Sequence, residues 1–259
     1  MVFCKKVSAV FSLFVISLTL TLACVDKDID PSDPAAAFAR AREPYDDELF
    51  EPAIQKLSEF KSRFPYSKHA PDAELMVADS QFQLNRFAEA ASSYEQFVKL
   101  HPRHEKADFA QYRVGESYWS DAPDDIDREQ EYTLKAIAEW EKLQSTYPNS
   151  DQTKKAQEFL TKGKRRVAEH SDFIAKFYCK QEIYHACAYR YLELAEQYPQ
   201  FKDLLKKAYG KAAEAFSNLA EGKSKDQESD ANLYYKSYSS SELKQKADEM
   251  QAKAASISL

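Results

Sequence analysis

Glycine is nearly missing from this chain, with only 4 in 259 residues. Two-residue β-hairpin turns depend on glycine because they need positive φ angles. Phosphate-binding loops depend on it because their backbone approaches the ligand closely. Neither GxGxxG nor GxxxxGK occurs, so the sequence predicts neither a hairpin-rich β fold nor a nucleotide site of these kinds.

An excess of positive charge is also missing. Lys and Arg total 36 against 42 Asp and Glu, for a formal net charge of −6, which argues against a general nucleic-acid binder. Among the 5 histidines, His101 and His104 are close in sequence, but Pro102 separates them and no third ligand is near. The acidic run 121–127 lacks the central glycine and closing glutamate of a calcium loop.

No catalytic constellation stands out either, since neither a Ser-His-Asp order nor a nucleophile elbow is present. We therefore expect no enzyme, no cofactor and no metal site. The alternative is an enzyme whose active site lies in the acidic loop or in a groove. Such an enzyme would need a metal, or a cluster of acids with perturbed pKa values, in a closed pocket.

The one long apolar run lies at the N-terminus, at residues 7–22, and follows Lys5 and Lys6. This layout is typical of a secretory signal, and the run is too short for a comfortable membrane span. Leu20–Cys24 resembles the lipobox of bacterial lipoproteins, in which the cysteine becomes an acylated N-terminus.

The resemblance predicts a signal peptide over 1–23 and lipidation, including a palmitate, on Cys24. A linker is expected over 24–34, because that segment is rich in Asp and Pro. Val25 after the cysteine favours the outer membrane by similarity to enterobacterial sorting. An ordinary signal peptide with a chance cysteine is the alternative.

Four dipeptides that end in proline each close an amphipathic stretch, and they are Phe64-Pro65, His101-Pro102, Tyr147-Pro148 and Tyr198-Pro199. Twelve, eight and five residues before each proline stand a small, a large and an apolar residue. These sets are Ala53, Leu57 and Phe60; Ala90, Tyr94 and Phe97; Ala136, Trp140 and Leu143; and Cys187, Tyr191 and Leu194. Steps of four and three share one helix face, and proline ends the helix.

A small residue lets a neighbouring helix approach closely, and the large residue fills the space beside it. This is the pattern of a tetratricopeptide repeat. We predict an all-α tetratricopeptide-repeat superhelix of about five helix pairs over 35–259, and a generic helical bundle is the alternative. Insertions are expected at 120–128 and around 154–170, with a last pair near 201–220 and 239–255. Pro44 is expected to end or kink the first helix.

Three further stretches, in order, make the chain similar to the BamD family of lipoproteins from the bacterial β-barrel assembly machinery. The stretches are Leu100–His104 with Phe109–Tyr112, Asp127–Gln130 with Tyr147–Ser150, and Ala168–His170 with Ala175–Tyr178. The resemblance covers about Tyr45 to Pro199. It implies a periplasmic, lipid-anchored scaffold at the outer membrane that helps insert β-barrel proteins.

The resemblance also implies partners. The C-terminal repeats, 149–259, would hold the periplasmic domains of the barrel-forming subunit, and Arg190 matches a family arginine that pairs with an acid there. The N-terminal repeats, 35–148, would receive unfolded outer-membrane protein substrates. Other assembly lipoproteins and the lipid bilayer complete the expected partners, and no nucleic acid is among them. Scaffolding of peptidoglycan or secretion machinery by a tetratricopeptide lipoprotein is the alternative.

The first helix of each pair is expected to line the inner side of the superhelix. Helical spacing then gives an apolar–acid–aromatic ladder that could bind an extended peptide, formed by Leu75, Asp79 and Phe82 and by Tyr112, Glu116 and Trp119. The alternative is that Phe82 and Trp119 are core residues. Leu75 and Asp79 do not provide the basic clamp that some repeat domains use for a terminal carboxylate.

Two cysteines remain after Cys4 and Cys24, and they are Cys179 and Cys187. A disulfide is open to them in an oxidising compartment. The favoured expectation is two unpaired small residues, because Cys187 takes the position that is alanine in the other repeats.

Overall fold

The computed structural model describes residues 32–225, 235 and 237–259, and these residues form α-helices without any strand. The predicted signal peptide, Cys24 and most of the linker lie outside this part of the chain. Ten helices are defined in it. They are α1 Pro34–Asp46, α2 Phe50–Arg63, α3 Ala70–Gln83, α4 Phe87–Leu100, α5 Ala107–Asp121, α6 Glu131–Thr146, α7 Asp151–Lys180, α8 Tyr184–Gln197, α9 Lys202–Ala220 and α10 Ser240–Ser256.

The helices stack as five consecutive pairs. Each helix packs against the next one along the chain, and the connections of three to nine residues from α1 to α9 make those neighbours antiparallel. First helices also contact one another across pairs, as α1 does with α3, α5 with α7, and α7 with α9. The predicted all-α repeat superhelix is confirmed, including its long α7 and its final pair.

The small and large residues counted back from each proline form the core. Ala53, Ala90 and Ala136 are fully buried and Cys187 is 2% exposed, while Trp140 and Tyr94 are fully buried beside them. The same burial holds for Leu57, Tyr191, Phe60, Phe97, Leu143 and Leu194. Close packing at these positions decides where each second helix docks.

Every second helix of the first four pairs ends in the same way. The residue before the proline leaves the helix with φ between −129° and −126° and ψ between 51° and 59°. Its N–H still donates to the carbonyl four residues earlier, as Phe64 does to Phe60. The proline that follows disfavours the α region for this residue, and this preference helps to end the helix there. Pro44, by contrast, lies inside α1, which ends two residues later.

The turns within three of the pairs use no glycine. Glu48, Asn85 and Glu182 each stand in the middle of a three-residue turn with φ of 60°, 58° and 62°. Asparagine tolerates this left-handed region, whereas glutamate adopts it at a cost of about 1–2 kcal/mol. The chain therefore builds its tight helix turns despite its shortage of glycine.

The predicted insertion appears as residues 122–130 between α5 and α6, and it is fastened to α7. Arg166 donates to the Pro123 carbonyl at 3.4 Å and to Asp124 Oδ1 at 3.2 Å. His170 Nδ1 lies 2.6 Å from the Ile126 carbonyl oxygen. These contacts fix the inserted segment against the middle of the superhelix.

Cys179 and Cys187 are joined by a disulfide across the turn from α7 to α8. The expectation of unpaired residues is wrong, although Cys187 is buried as its repeat position predicts. The turn brings the end of α7 to the small-residue position of α8, and the two Cα atoms are 4.9 Å apart. That separation is within the range that a disulfide can bridge.

Candidate peptide-binding groove and partner-binding arginine

The six residues of the predicted ladder lie on α3 and α5, the first helices of pairs two and three. Leu75 is only 3% exposed and Tyr112 only 7%. Both belong to the core, so a bound peptide would not reach them and their assignment to a groove surface is wrong. Asp79, Phe82, Glu116 and Trp119 are partly exposed and form the accessible ladder.

Asp79 is the centre of a hydrogen-bond network that joins residues of the first three helix pairs. The Tyr94 hydroxyl donates to its Oδ1, and the Tyr45 hydroxyl donates to its Oδ2 at 3.4 Å. Arg113 Nε lies 3.9 Å from the same carboxylate. Burial raises the pKa of Asp79, and the bond from Tyr94 and the charge of Arg113 offset only part of that rise.

Arg113 links the two halves of the ladder. Its guanidinium carbon lies 3.7 Å from the centre of the Phe82 ring, a cation–π contact within the protein. Its Nε donates to the Tyr94 hydroxyl at 3.0 Å and its Nη1 to Glu116 Oε2 at 2.5 Å. The positive charge of Arg113 therefore offsets part of the negative charge of Asp79 and Glu116.

Tyr112 belongs to the same hydrogen-bond network although its ring is buried. Its hydroxyl donates to Glu116 Oε1 at 3.3 Å. Burial raises the pKa of Tyr112 to about 12, and the charge of Glu116 adds to the shift. The phenol therefore stays a hydrogen-bond donor at neutral pH and holds Glu116 in place.

Trp119 lies where the ladder meets the inserted segment. Its ring centre is 6.0 Å from that of Trp140 and 6.2 Å from that of Phe159. Arg166, which fastens residues 122–130, stands 4.1 Å over the ring. Trp119 thus combines a packed side with partial exposure, as an aromatic anchor for a peptide requires.

Sequence reasoning did not find Arg113 or the polar role of Tyr94. The repeat position of Tyr94 predicts a core residue, and Tyr94 is fully buried. Arg113 stands one residue after Tyr112, just beside the helical spacing that defined the ladder. The only available signal was that a buried carboxylate on a first helix would need a cationic partner.

Arg190 lies on α8 in the fourth pair, with its side chain 43% exposed. Its Nη1 donates to Glu193 Oε2 at 2.9 Å, one turn along the same helix. Its neighbour Tyr189 is 55% exposed. A surface ion pair of this kind contributes little to stability, so Arg190 is available to a carboxylate from another protein.

Neither a metal cluster nor a membrane span is found in the described residues. They contain no group of three or more His, Cys, Asp or Glu that could hold a metal ion. His101 instead lies 2.9 Å from Glu74 Oε2. None of the helices in this part of the chain combines the length and the apolar character needed to cross a bilayer.

Stacked helix pairs with a polar network along the first helices define a helical-repeat protein. Proteins of this class present extended surfaces to other polypeptides. A family model described as YfiO, outer membrane lipoprotein, matches residues 30–248. The chain therefore belongs to the YfiO outer membrane lipoprotein family, and the BamD-type resemblance is confirmed.

Two sequence relatives, both named BamD, agree with this assignment. The chain is 28% identical over 195 residues to the outer membrane protein assembly factor BamD of Vibrio cholerae, covering 71% of this chain and 81% of that protein. It is 25% identical over 207 residues to BamD of Neisseria meningitidis serogroup A, covering 75% and 78%. A solved structure of the yeast Sti1 TPR2AB domain with pHSP90 is 16% identical and covers 86% of this chain and 98% of that one, with a TM-score of 0.39.

Proposed function

We propose that this chain is a lipid-anchored periplasmic scaffold subunit of the β-barrel assembly machinery, which helps insert β-barrel proteins into the outer membrane. The proposal rests on the family match over 30–248, because the same region forms a stack of helix pairs. Relatives that match most of their length are named outer membrane protein assembly factors. The role is to bind and position other proteins, without chemistry of its own.

The proposal assigns separate tasks to the two ends of the chain. Acylated Cys24 and the linker to residue 34 hold the protein at the periplasmic face of the outer membrane. Repeats 35–148 receive unfolded substrate, and repeats 149–259 hold the barrel-forming subunit and other assembly lipoproteins. Tethering raises the effective concentration of each partner at the membrane.

Charge reversal at Arg190 tests the partner side. We expect Arg190→Glu to reduce co-purification of the barrel-forming subunit at least tenfold, because an arginine–carboxylate pair becomes a like-charge contact. The measurement is a pull-down of the full chain in mild detergent with mass spectrometry. Arg42→Glu is the matched control, since Arg42 is an exposed arginine in a same-helix ion pair in the first pair of helices.

Equal recovery of the barrel-forming subunit with Arg190→Glu would remove the assignment of Arg190. Absence of that subunit from the wild-type pull-down, with peptidoglycan or secretion proteins in its place, would contradict the proposed function itself.

Photo-crosslinking tests the substrate side. With p-benzoylphenylalanine in place of Trp119, we expect crosslinks to unfolded outer-membrane β-barrel polypeptide, because this aromatic position lies at the accessible ladder. Leu134, 50% exposed on the second helix α6, is the control position. Equal crosslinking from both positions would show that the ladder does not direct substrate binding.

A further inference from the structure

A cleft between α7 and α9, the first helices of pairs four and five, concentrates positive charge. It has a volume of about 480 Å³, and Tyr184, Tyr191 and the Cys179–Cys187 disulfide form part of its wall. Four lysines line it, which are Lys176, Lys180, Lys207 and Lys211. We call it the lysine cleft. Its charge is opposite to that of the whole chain, whose formal net charge is −6.

Within the described part of the chain, two of the four lysines have no acidic partner. Lys207 pairs with Asp172 and Lys211 with Glu214, each at 2.7 Å. Lys176 and Lys180 are exposed and make no ion pair with any residue that the structure describes. Among the described residues, the α7 side of the cleft therefore carries two uncompensated positive charges, while the acid that lines the cleft, Glu214, is paired with Lys211.

The spacing of the lysines matches an extended peptide. The lysines on each helix are four residues apart, which corresponds to about 6 Å along the axis. Side chains at alternate positions of an extended strand point the same way at a spacing of about 6.6 Å. One phosphate group offers its charge at one point, whereas two carboxylates on alternate residues can reach both lysines of a row.

We propose that the lysine cleft binds an extended peptide segment in which acidic residues alternate with other residues. Lys176 and Lys180 bind two successive carboxylates, while Lys207 and Lys211, already paired with Asp172 and Glu214, form the opposite wall. The inference goes beyond the proposed function, because it does not depend on which complex supplies the acidic segment.

The test uses the full chain in detergent with two fluorescein-labelled peptides, one of alternating glutamate and serine and one of alternating glutamine and serine. Fluorescence anisotropy should show saturable binding of the glutamate peptide only. The double variant Lys176→Glu and Lys180→Glu should weaken that binding at least tenfold. The matched control is Lys68→Glu and Lys155→Glu, which changes the net charge equally at exposed lysines outside the cleft and should leave binding within twofold.

Three outcomes would overturn the inference. The first is equal binding of the two peptides, and the second is equal weakening by both double variants, which would indicate only a net-charge effect. The third is displacement of the peptide by glycerol 1-phosphate at concentrations far below those of free glutamate, which would make the cleft a lipid-headgroup site. Circular dichroism of each variant checks that the helices remain folded.

Discussion

Gly115→Ala is expected to lower the free energy of unfolding by about 3 kcal/mol. A Cβ atom at this position would come within 2.6 Å of Trp140 Cδ1 and 2.7 Å of Cε2. The Trp140 ring is fully buried and donates from Nε1 to the Tyr112 carbonyl at 3.2 Å. It cannot move aside without opening the core and losing that bond, and overpacking and a lost buried hydrogen bond each cost about 1–3 kcal/mol.

Gly210→Ala is the matched control on α9. A Cβ atom there would meet nothing within 4 Å, so the usual helix preference for alanine should raise stability by about 0.5–1 kcal/mol. Urea unfolding followed by circular dichroism measures both variants. Shifts of the same sign for both glycines would show that close docking of α5 against Trp140 is not what requires glycine.

Cys24→Ala is expected to move the protein from the membrane fraction to the soluble fraction. Each buried CH₂ of an acyl chain contributes about 0.8 kcal/mol, so a multiply acylated protein stays bound while an unmodified one is released. An uncleaved apolar run at 7–22 could itself retain the variant. A second version therefore replaces residues 1–23 by the signal peptide of a soluble periplasmic protein.

Cys4→Ala is the control for this experiment, because Cys4 would leave with the signal peptide. It should remain in the membrane fraction like the wild type, as judged by fractionation and immunoblotting. Retention of the second Cys24→Ala version at the membrane would show that another part of the chain anchors it.

Sequence alone predicted the repeat because its signals are local. The distances from each proline to Ala90, Tyr94 and Phe97 depend only on helix geometry and on proline chemistry. The last pair is expected near 201–220 and 239–255, and α9 and α10 span Lys202–Ala220 and Ser240–Ser256. Such features require no knowledge of which helix packs on which.

The details of the groove were harder to predict because they depend on pairs of residues far apart in the chain. Asp79 meets Tyr45 from α1, Tyr94 from α4 and Arg113 from α5. Whether Leu75 faces the groove or the core depends on how far successive pairs rotate, and local spacing does not define that angle. The disulfide was missed for a related reason, since a buried alanine-like position and a half-cystine have the same pattern.

The length of α7 has a mechanical consequence. Its 30 residues extend for about 45 Å, and it contacts α5, α6, α8 and α9. A repeat array normally bends at each interface between neighbours, because every unit touches only the next. Here one continuous helix contacts pairs three, four and five together, so the array should bend less among these pairs than between the first two pairs.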